Sequence, residues 1–409
     1  GFLISFFAWV LMSNVVIEHS DELEELCQKL RSFDSFALDT EFVRERTFYI
    51  QLGIVQVAAP GVEAVIDPRA LSTLEPLFEL IVDESLEKIV HAGEQDFAAL
   101  YEKGGVVPKN VFDSQIAAAL VGYGDQISYA KLVSKVTGVQ LDKLETLTDW
   151  TARPLTKAQI EYSLEDVRYL SDIRKHLGER LDALGRGGWD KEECYRLEKE
   201  KTYLTPDPLD YYRRLKTSGL SRASLGVLRQ VAAWREQTAR TRNLPRGWVI
   251  RDQSIVEIAR RRPSSIQNLK QIRSLKPHQI GKDGESIVQA VKNGLKNPIA
   301  EAAPEKVRFK VPPHVDSVAR LLEAWLYARS LDAEIAPSML ATRDDLKTLA
   351  AGHHRGVLPE LPLLEGWRRD LAGQDLLDIL DGKRALKVDG GKISAIASSS
   401  DSTAENPRA

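Results

Sequence analysis

Three β-rich runs, residues 35–42, 49–58 and 62–67, follow one another through connections too short to hold a helix. That succession constrains the fold more than any other feature, because short links make neighbouring strands antiparallel. Helical and strand-like segments then alternate. Residues 72–82 are amphipathic, 88–90 form a short apolar strand, and 94–103 form a helix stopped by Gly104 and Gly105. A strand at 111–112 precedes helices at 114–121 and 128–137, the latter ended by Gly138. Residues 156–184 read as one long helix, capped by Thr156 after Pro154 and ended by Gly185. A meander followed by this alternation predicts an α/β unit over residues 13–200, with a mixed sheet flanked by helices.

From Asp190 onward strand signals almost vanish. Residues 190–204 form a charged connector, and Pro206 and Pro208 precede a set of helices over 205–295. Four prolines within 298–315 mark a linker before a second helical set over 316–383. The tail at 390–409 is rich in Ser, Gly and Ala, has little to bury, and is expected to be disordered. Three domains suit 409 residues. The apolar opening, residues 1–12, is too short to span a bilayer as a helix and lacks a basic flank, so Met12 is read as the start. Nothing else is apolar enough for a membrane. Cys27 and Cys194 form neither a disulfide framework nor a zinc motif, which fits a reducing cytoplasm.

The net charge of −3 conceals an asymmetry. Residues 13–200 carry 21 Lys/Arg against 35 Asp/Glu, whereas 205–285 carry 17 against 7. An acidic first domain is suited to hold cations, and a basic second one to attract a polyanion.

The acidic domain has a pattern that carries chemistry. In FALDTEF, Asp39 and Glu41 lie two apart on a strand and so share a face where the strand leaves the core. Paired carboxylates repel unless a cation lies between them. Asp96 in HAGEQDF falls in the first turn of a helix, and Tyr162 and Asp166 in YSLEDVRYL share a helix face. Each has a plainer reading alone: a solvated strand end, an acid favouring a helix dipole, a core aromatic. Together they point to a site for two divalent metals that cleaves phosphodiester bonds. His353 and His354 have no further ligands nearby in sequence and read as solvated loop residues.

In this order the three motifs resemble the DEDD superfamily of 3′–5′ exonucleases, specifically the RNase D family. Tyr162 stands four residues before Asp166, as in the tyrosine branch, and Glu161 occupies the position where the other branch has histidine. The likeness extends through FVRERTFYIQLGIVQVA and TDWTARPLT, with Ile50 where the family usually has proline. The basic region resembles an HRDC domain through Trp234-Arg235, the turn Asn243-Leu244-Pro245, Arg251-Asp252 and Ile258-Ala259, and 316–383 resembles a diverged second copy.

The resemblance implies a ribonuclease H-like α/β exonuclease followed by two all-α HRDC-like domains. It implies two Mg²⁺ or Mn²⁺ ions on Asp39, Glu41, Asp96 and Asp166, with Tyr162 orienting the attacking water. Nucleoside 5′-monophosphates would leave one at a time from RNA 3′ ends, with precursor tRNA and other structured small RNAs as partners. A cytoplasmic monomer is expected. Phe42, Gln51 and His91 are candidates to line the terminal-nucleotide pocket, and Arg240, Arg242, Arg246, Arg260 and Arg261 to meet phosphates. Rival readings are a DNA exonuclease and a non-catalytic RNA-binding scaffold. No phosphate-binding G-x-x-x-x-G-K-[ST] loop is present to indicate a helicase, and all four acids and the tyrosine argue against a scaffold.

Overall fold

The computed structural model describes residues 15–141, 149–216, 218–299 and 312–398. Residues 1–12, most of the proline-rich linker and the last part of the tail lie outside that range. The first unit has strands β1 (Val16–Ile17), β2 (Ser35–Val43), β3 (Gln51–Ala59), β4 (Val62–Ile66), β5 (Glu87–Val90) and β6 (Val111–Asp113). They form one sheet in the order β1-β4-β3-β2-β5-β6. The β2-β3-β4 meander is antiparallel, while β1, β5 and β6 pair in parallel. The helices are α1 (Ser20–Leu30), α2 (Glu75–Val82), α3 (Glu94–Gly104), α4 (Ser114–Leu120), α5 (Tyr129–Thr137), α6 (Lys157–Arg168), α7 (Leu170–Ala183) and α8 (Trp189–Cys194).

Two expectations change here. The opening strand β1 and helix α1 went unread, although Leu23, Leu26 and Leu30 give α1 an apolar stripe that is buried. The long helix at 156–184 is two helices joined at Tyr169 (φ −97°, ψ −2°). Leu164 of α6 packs with Ile54, Val65 and Trp150. Leu170, Ile173, Leu177 and Leu181 of α7 belong to a different apolar cluster. Val167 at the end of α6 joins that second cluster, so the packing passes from one cluster to the other around Tyr169, where the helix breaks without proline or glycine.

The first helical region comprises α9 (Arg222–Arg242), α10 (Arg246–Val249), α11 (Asp252–Arg261), α12 (Ile266–Leu269) and α13 (Pro277–Lys296). Its core is self-contained, built from residues such as Leu228, Ile255, Ile258 and Ile287. Arg235 is buried and donates to the Ile250 carbonyl and to Asp252, so two residue pairs that marked this region in the sequence meet in space.

The second helical region comprises α14 (Pro313–Asp332), α15 (Pro337–Leu340), α16 (Arg343–His354), α17 (Gly366–Arg368) and α18 (Gln374–Leu380). Its Leu322, Trp325, Leu349 and Trp367 belong to one cluster with Ala117, Leu132 and Leu177 of the first unit. His353 and His354 are in the last turn of α16 rather than in a loop, and His353 Nε2 lies 2.9 Å from Asp381. The described part of the tail is ordered, where disorder was expected. Strands β7 (Arg384–Asp389) and β8 (Lys392–Ala397) pair as a hairpin. Gly390 and Gly391 both take positive φ (55° and 81°) at its turn, as a two-residue hairpin requires. Among the described residues no helix is long and apolar enough to cross a membrane.

Candidate active site

Strand β2 carries Asp39 and Glu41 alongside β3. The register pairs Asp39 with Gln56 and Glu41 with Ile54, then shifts so that Phe42 pairs with Leu52. The residue passed over is Gly53. A Cβ there would lie 2.8 Å from the Trp150 carbonyl oxygen and 2.9 Å from that of Glu41, so only glycine allows the close approach. Bulges of this kind turn a strand and re-aim its side chains. The irregularity thus falls directly after Glu41.

Asp96, in the first turn of α3, is held to the same strand. Its Oδ1 accepts from the Thr40 hydroxyl at 2.5 Å and from the Thr40 amide at 3.2 Å. Helix α6 begins with a full capping box between Thr156 and Gln159 and packs on β2, β3 and β4. It brings Tyr162 and Asp166 to the acids. Tyr162 lies 6.1 Å, ring to ring, from Trp150, and its hydroxyl has no hydrogen-bond partner among the described residues.

Electrostatics ties the four acids together. Burial, then the charges of Asp96, Asp166 and Glu41, pushes Asp39 well above the ordinary carboxylate range. Burial with Asp166 and Asp96 raises Glu41 to about 8. Burial raises Asp96 to about 6 against the opposing Thr40 hydrogen bonds, and burial with Glu165 and Asp96 raises Asp166 to about 7. Tyr162 is raised by burial and by Asp166, Glu41 and Asp39. A phenol shifted upward stays protonated near neutral pH and keeps a proton to donate.

Such a set fits a hard divalent cation, which prefers carboxylate oxygens and relieves their repulsion. Gln56 adds to the fit. It is fully buried, stands opposite Asp39 in the register, and neither its amide nitrogen nor its oxygen has a partner. Among the described residues no three His, Cys, Asp or Glu side chains are drawn closely enough together to hold an ion as they stand.

Several supports escaped the sequence reading. Arg153 donates to Asp67 at 2.5 and 2.8 Å and to the carbonyls of Gly53 and Trp150, fixing the segment that carries Trp150 against the bulge. Tyr129 donates to the Glu165 carbonyl at 2.9 Å, next to Asp166. Gly53 inside a strand was the one legible signal of this close packing.

The expected substrate residues fare unevenly. Phe42 is half-buried against the sheet core, and Gln51 is exposed at the start of β3. His91 has both ring nitrogens engaged, with Ser114 Oγ at 2.9 Å and the Ile127 carbonyl at 3.0 Å, which leaves it no free polar atom for a substrate. Arg240 donates to the Pro206 carbonyl, Arg242 pairs with Asp283, and Arg246 pairs with the buried Glu236. These three arginines serve internal contacts. Arg260 is exposed, and Arg261 is paired with Glu257 one turn back.

A family model for 3′–5′ exonucleases matches residues 14–182, and an HRDC-domain model matches residues 224–291. Fold, acids and these matches define a 3′–5′ exonuclease joined to an HRDC domain. The ribonuclease D of Granulibacter bethesdensis is 37% identical over 388 residues, covering 94% of this chain and 97% of that protein. That of Bartonella henselae is 36% identical over 380 residues, covering 92% and 93%. The crystal structure of Escherichia coli RNase D, described as an exoribonuclease involved in structured RNA processing, matches with a TM-score of 0.78 at 30% identity. The match covers 90% of this chain and 99% of that one. The chain therefore belongs to the ribonuclease D family. It is a 3′–5′ exoribonuclease that uses divalent metal, with an HRDC nucleic-acid-binding domain.

Proposed function

We propose that Asp39, Glu41, Asp96 and Asp166 hold two ions, Mg²⁺ or Mn²⁺, and that Tyr162 positions the attacking water. The observation that carries this reading is the upward shift of all four acids beside the bulged strand. Bound there, a metal pair would supply an acidified water and charge relief at the departing 3′-oxygen. The protein's own residues do the rest. Thr40 holds Asp96, Tyr129 holds the turn of α6 that bears Asp166, and Tyr162 keeps its proton to orient the nucleophile. Phe42 offers an apolar edge to a terminal nucleotide, and Gln51 a polar one.

The reading extends to substrate and setting. Structured small RNAs with 3′ extensions, precursor tRNA among them, would be shortened to release nucleoside 5′-monophosphates. The domain division is 13–200, 205–295 and 316–383, the last an HRDC-like copy, in a cytoplasmic monomer. The net positive charge of 205–285 supports RNA capture there.

A gel time course on a tRNA with a short 3′ extension tests this, with a matched DNA strand alongside. Excess Mg²⁺ gives a ladder shortening from the RNA 3′ end, and EDTA stops it. Asp39→Asn lowers turnover by about 10³-fold or more while the fold persists. Near-normal turnover by that variant refutes the ligand assignment. Preferential shortening of the DNA strand refutes the substrate class.

A further inference from the structure

We propose that the first helical region carries a subsite for an unpaired RNA nucleotide, whose base stacks on Trp248 while Arg251 and Lys276 meet its phosphates. The inference rests on the RNA-directed function above and deepens it. Three of the five arginines first assigned to RNA, Arg240, Arg242 and Arg246, already make internal contacts, which leaves a place for other side chains in the capture surface.

Trp248 stands apart. It is 59% exposed, whereas Trp150, Trp325 and Trp367 are each 5% exposed. Its ring lines a pocket of about 430 Å³ with Gly247, Arg251, Ser274, Lys276, His278 and Gln279. A pocket of this size lies within the roughly 300–1,000 Å³ that small ligands occupy.

The charge is also unspent. Arg251, Lys276 and His278 are exposed, and among the described residues no ion pair engages them. The neighbouring acids are already committed, Asp252 to Arg235 and Glu257 to Arg261. An exposed aromatic face beside uncompensated cations is the combination that binds single-stranded nucleic acid, because every base has a π-face and every nucleotide a phosphate. A second, larger cavity in this region gives the contrast. It is lined by Trp234 and the acidic Glu285, with no Arg or Lys among its lining residues.

Position strengthens the case. Arg246, two residues before Trp248, lies over the Phe48 ring at 4.6 Å. Phe48 belongs to the 44–50 connection that follows the strand of Asp39 and Glu41. The short helix α10, which carries both Arg246 and Trp248, therefore lies beside the connection that leaves the strand of Asp39 and Glu41.

The test is direct binding by the full-length chain, in EDTA to prevent cleavage, of a labelled RNA hairpin with a single-stranded 3′ extension, across 50–200 mM salt. Stacking is worth about 1–3 kcal/mol per base, so Trp248→Ala weakens Kd by about 5- to 150-fold with little change in salt slope. Trp248→Phe restores most of the affinity. Arg251→Ala with Lys276→Ala lowers the log–log salt slope by about 1.4, at roughly 0.7 per phosphate on a single strand. Far-UV melting of each variant confirms the fold. Wild-type affinity in Trp248→Ala overturns the subsite and leaves this face to a protein partner. Equal loss in Trp248→Ala and Trp248→Phe also overturns it, because a packing defect and not stacking would then be responsible. An unchanged slope in the double variant removes the phosphate role and overturns the proposal as stated. The time course on wild-type protein separates the two readings. Trimming of RNA alongside unaffected binding in Trp248→Ala sinks only the subsite, whereas no trimming of RNA sinks the function beneath it.

Discussion

The two helical regions are attached to the exonuclease unit in opposite ways. The second is welded to it. One apolar cluster runs from Leu132 and Leu177 through Trp325, Leu349 and Trp367. Trp189 and Trp367 stack at 4.3 Å, and Arg368 makes a two-pronged pair with Glu193 at 2.5 and 2.6 Å. Arg186 donates to the Leu120 carbonyl within the exonuclease unit and, across the junction, to the Ala333 carbonyl. The first region, by contrast, keeps its core to itself and touches the catalytic unit through a polar latch. Asn243, in a left-handed conformation at the end of α9, accepts from the amides of Phe48 and Tyr49 at 3.1 Å each. The guanidinium groups of Arg240 and Arg246 lie over the Phe48 ring. A shared core commits the welded region to stability, while a small polar junction leaves the latched region's basic surface open for substrate.

Four changes would break or sharpen this contrast. The largest effect is expected at the weld. Trp367→Ala removes a buried, stacked indole that donates to Glu193, and should destabilise the protein by about 3–5 kcal/mol. Calorimetry should show the exonuclease and second helical region melting together at lower temperature. A selective loss of one of them would break the idea of a shared core.

Next, Ile255→Ala opens a cavity in the self-contained core and should cost about 2–5 kcal/mol. The loss should appear as an early, separate transition, with cleavage of short RNA retained. A shift of the whole melting curve would show that the latch couples the units more tightly than its contacts imply.

The latch itself is a smaller target. Asn243→Ala loses two hydrogen bonds and places alanine at φ 49°, a strain of about 1–2 kcal/mol. KM for structured RNA should rise several-fold with little change in either core's melting. An unchanged KM would make the latch a passive contact.

The smallest effect concerns pH. The acids at the site have folded pKa values above their unfolded ones, Glu41 at about 8 and Asp166 at about 7. The metal-free folded state therefore binds more protons than the unfolded state between about pH 4 and pH 8. Stability is full at the low end and falls as pH rises through that window. Mg²⁺ should flatten the decline, and Glu41→Gln should lessen it by about 1–2 kcal/mol at pH 8. Because the destabilisation is seated in the exonuclease unit, the second helical region should follow it and the first should not. A metal-free melting temperature that rises over this range would overturn the repulsion argument.

Much of the site was legible because motif spacing maps onto strand and helix periods. Asp39 and Glu41 two apart, and Tyr162 and Asp166 four apart, fix the faces they occupy from spacing alone. The break at Tyr169 was not legible, since no proline or glycine marks it in the chain. The β7–β8 hairpin was obscured by a tail whose composition resembles disorder, although Asp389-Gly390-Gly391 held the turn signal. Arg240, Arg242 and Arg246 read as phosphate ligands because charge is visible in sequence and its partners are not.

By itself the sequence determined the α/β-then-helical order, the acidic and basic halves, the family, and the five residues expected to perform the chemistry. Those features are local or periodic, so a one-dimensional pattern carries them. Only the tertiary structure decided which arginines are spent on internal carboxylates, which tryptophan faces solvent, and which helical region shares the exonuclease core. Each of those is settled by long-range contacts between residues tens to hundreds of positions apart, and such contacts leave no period in the chain.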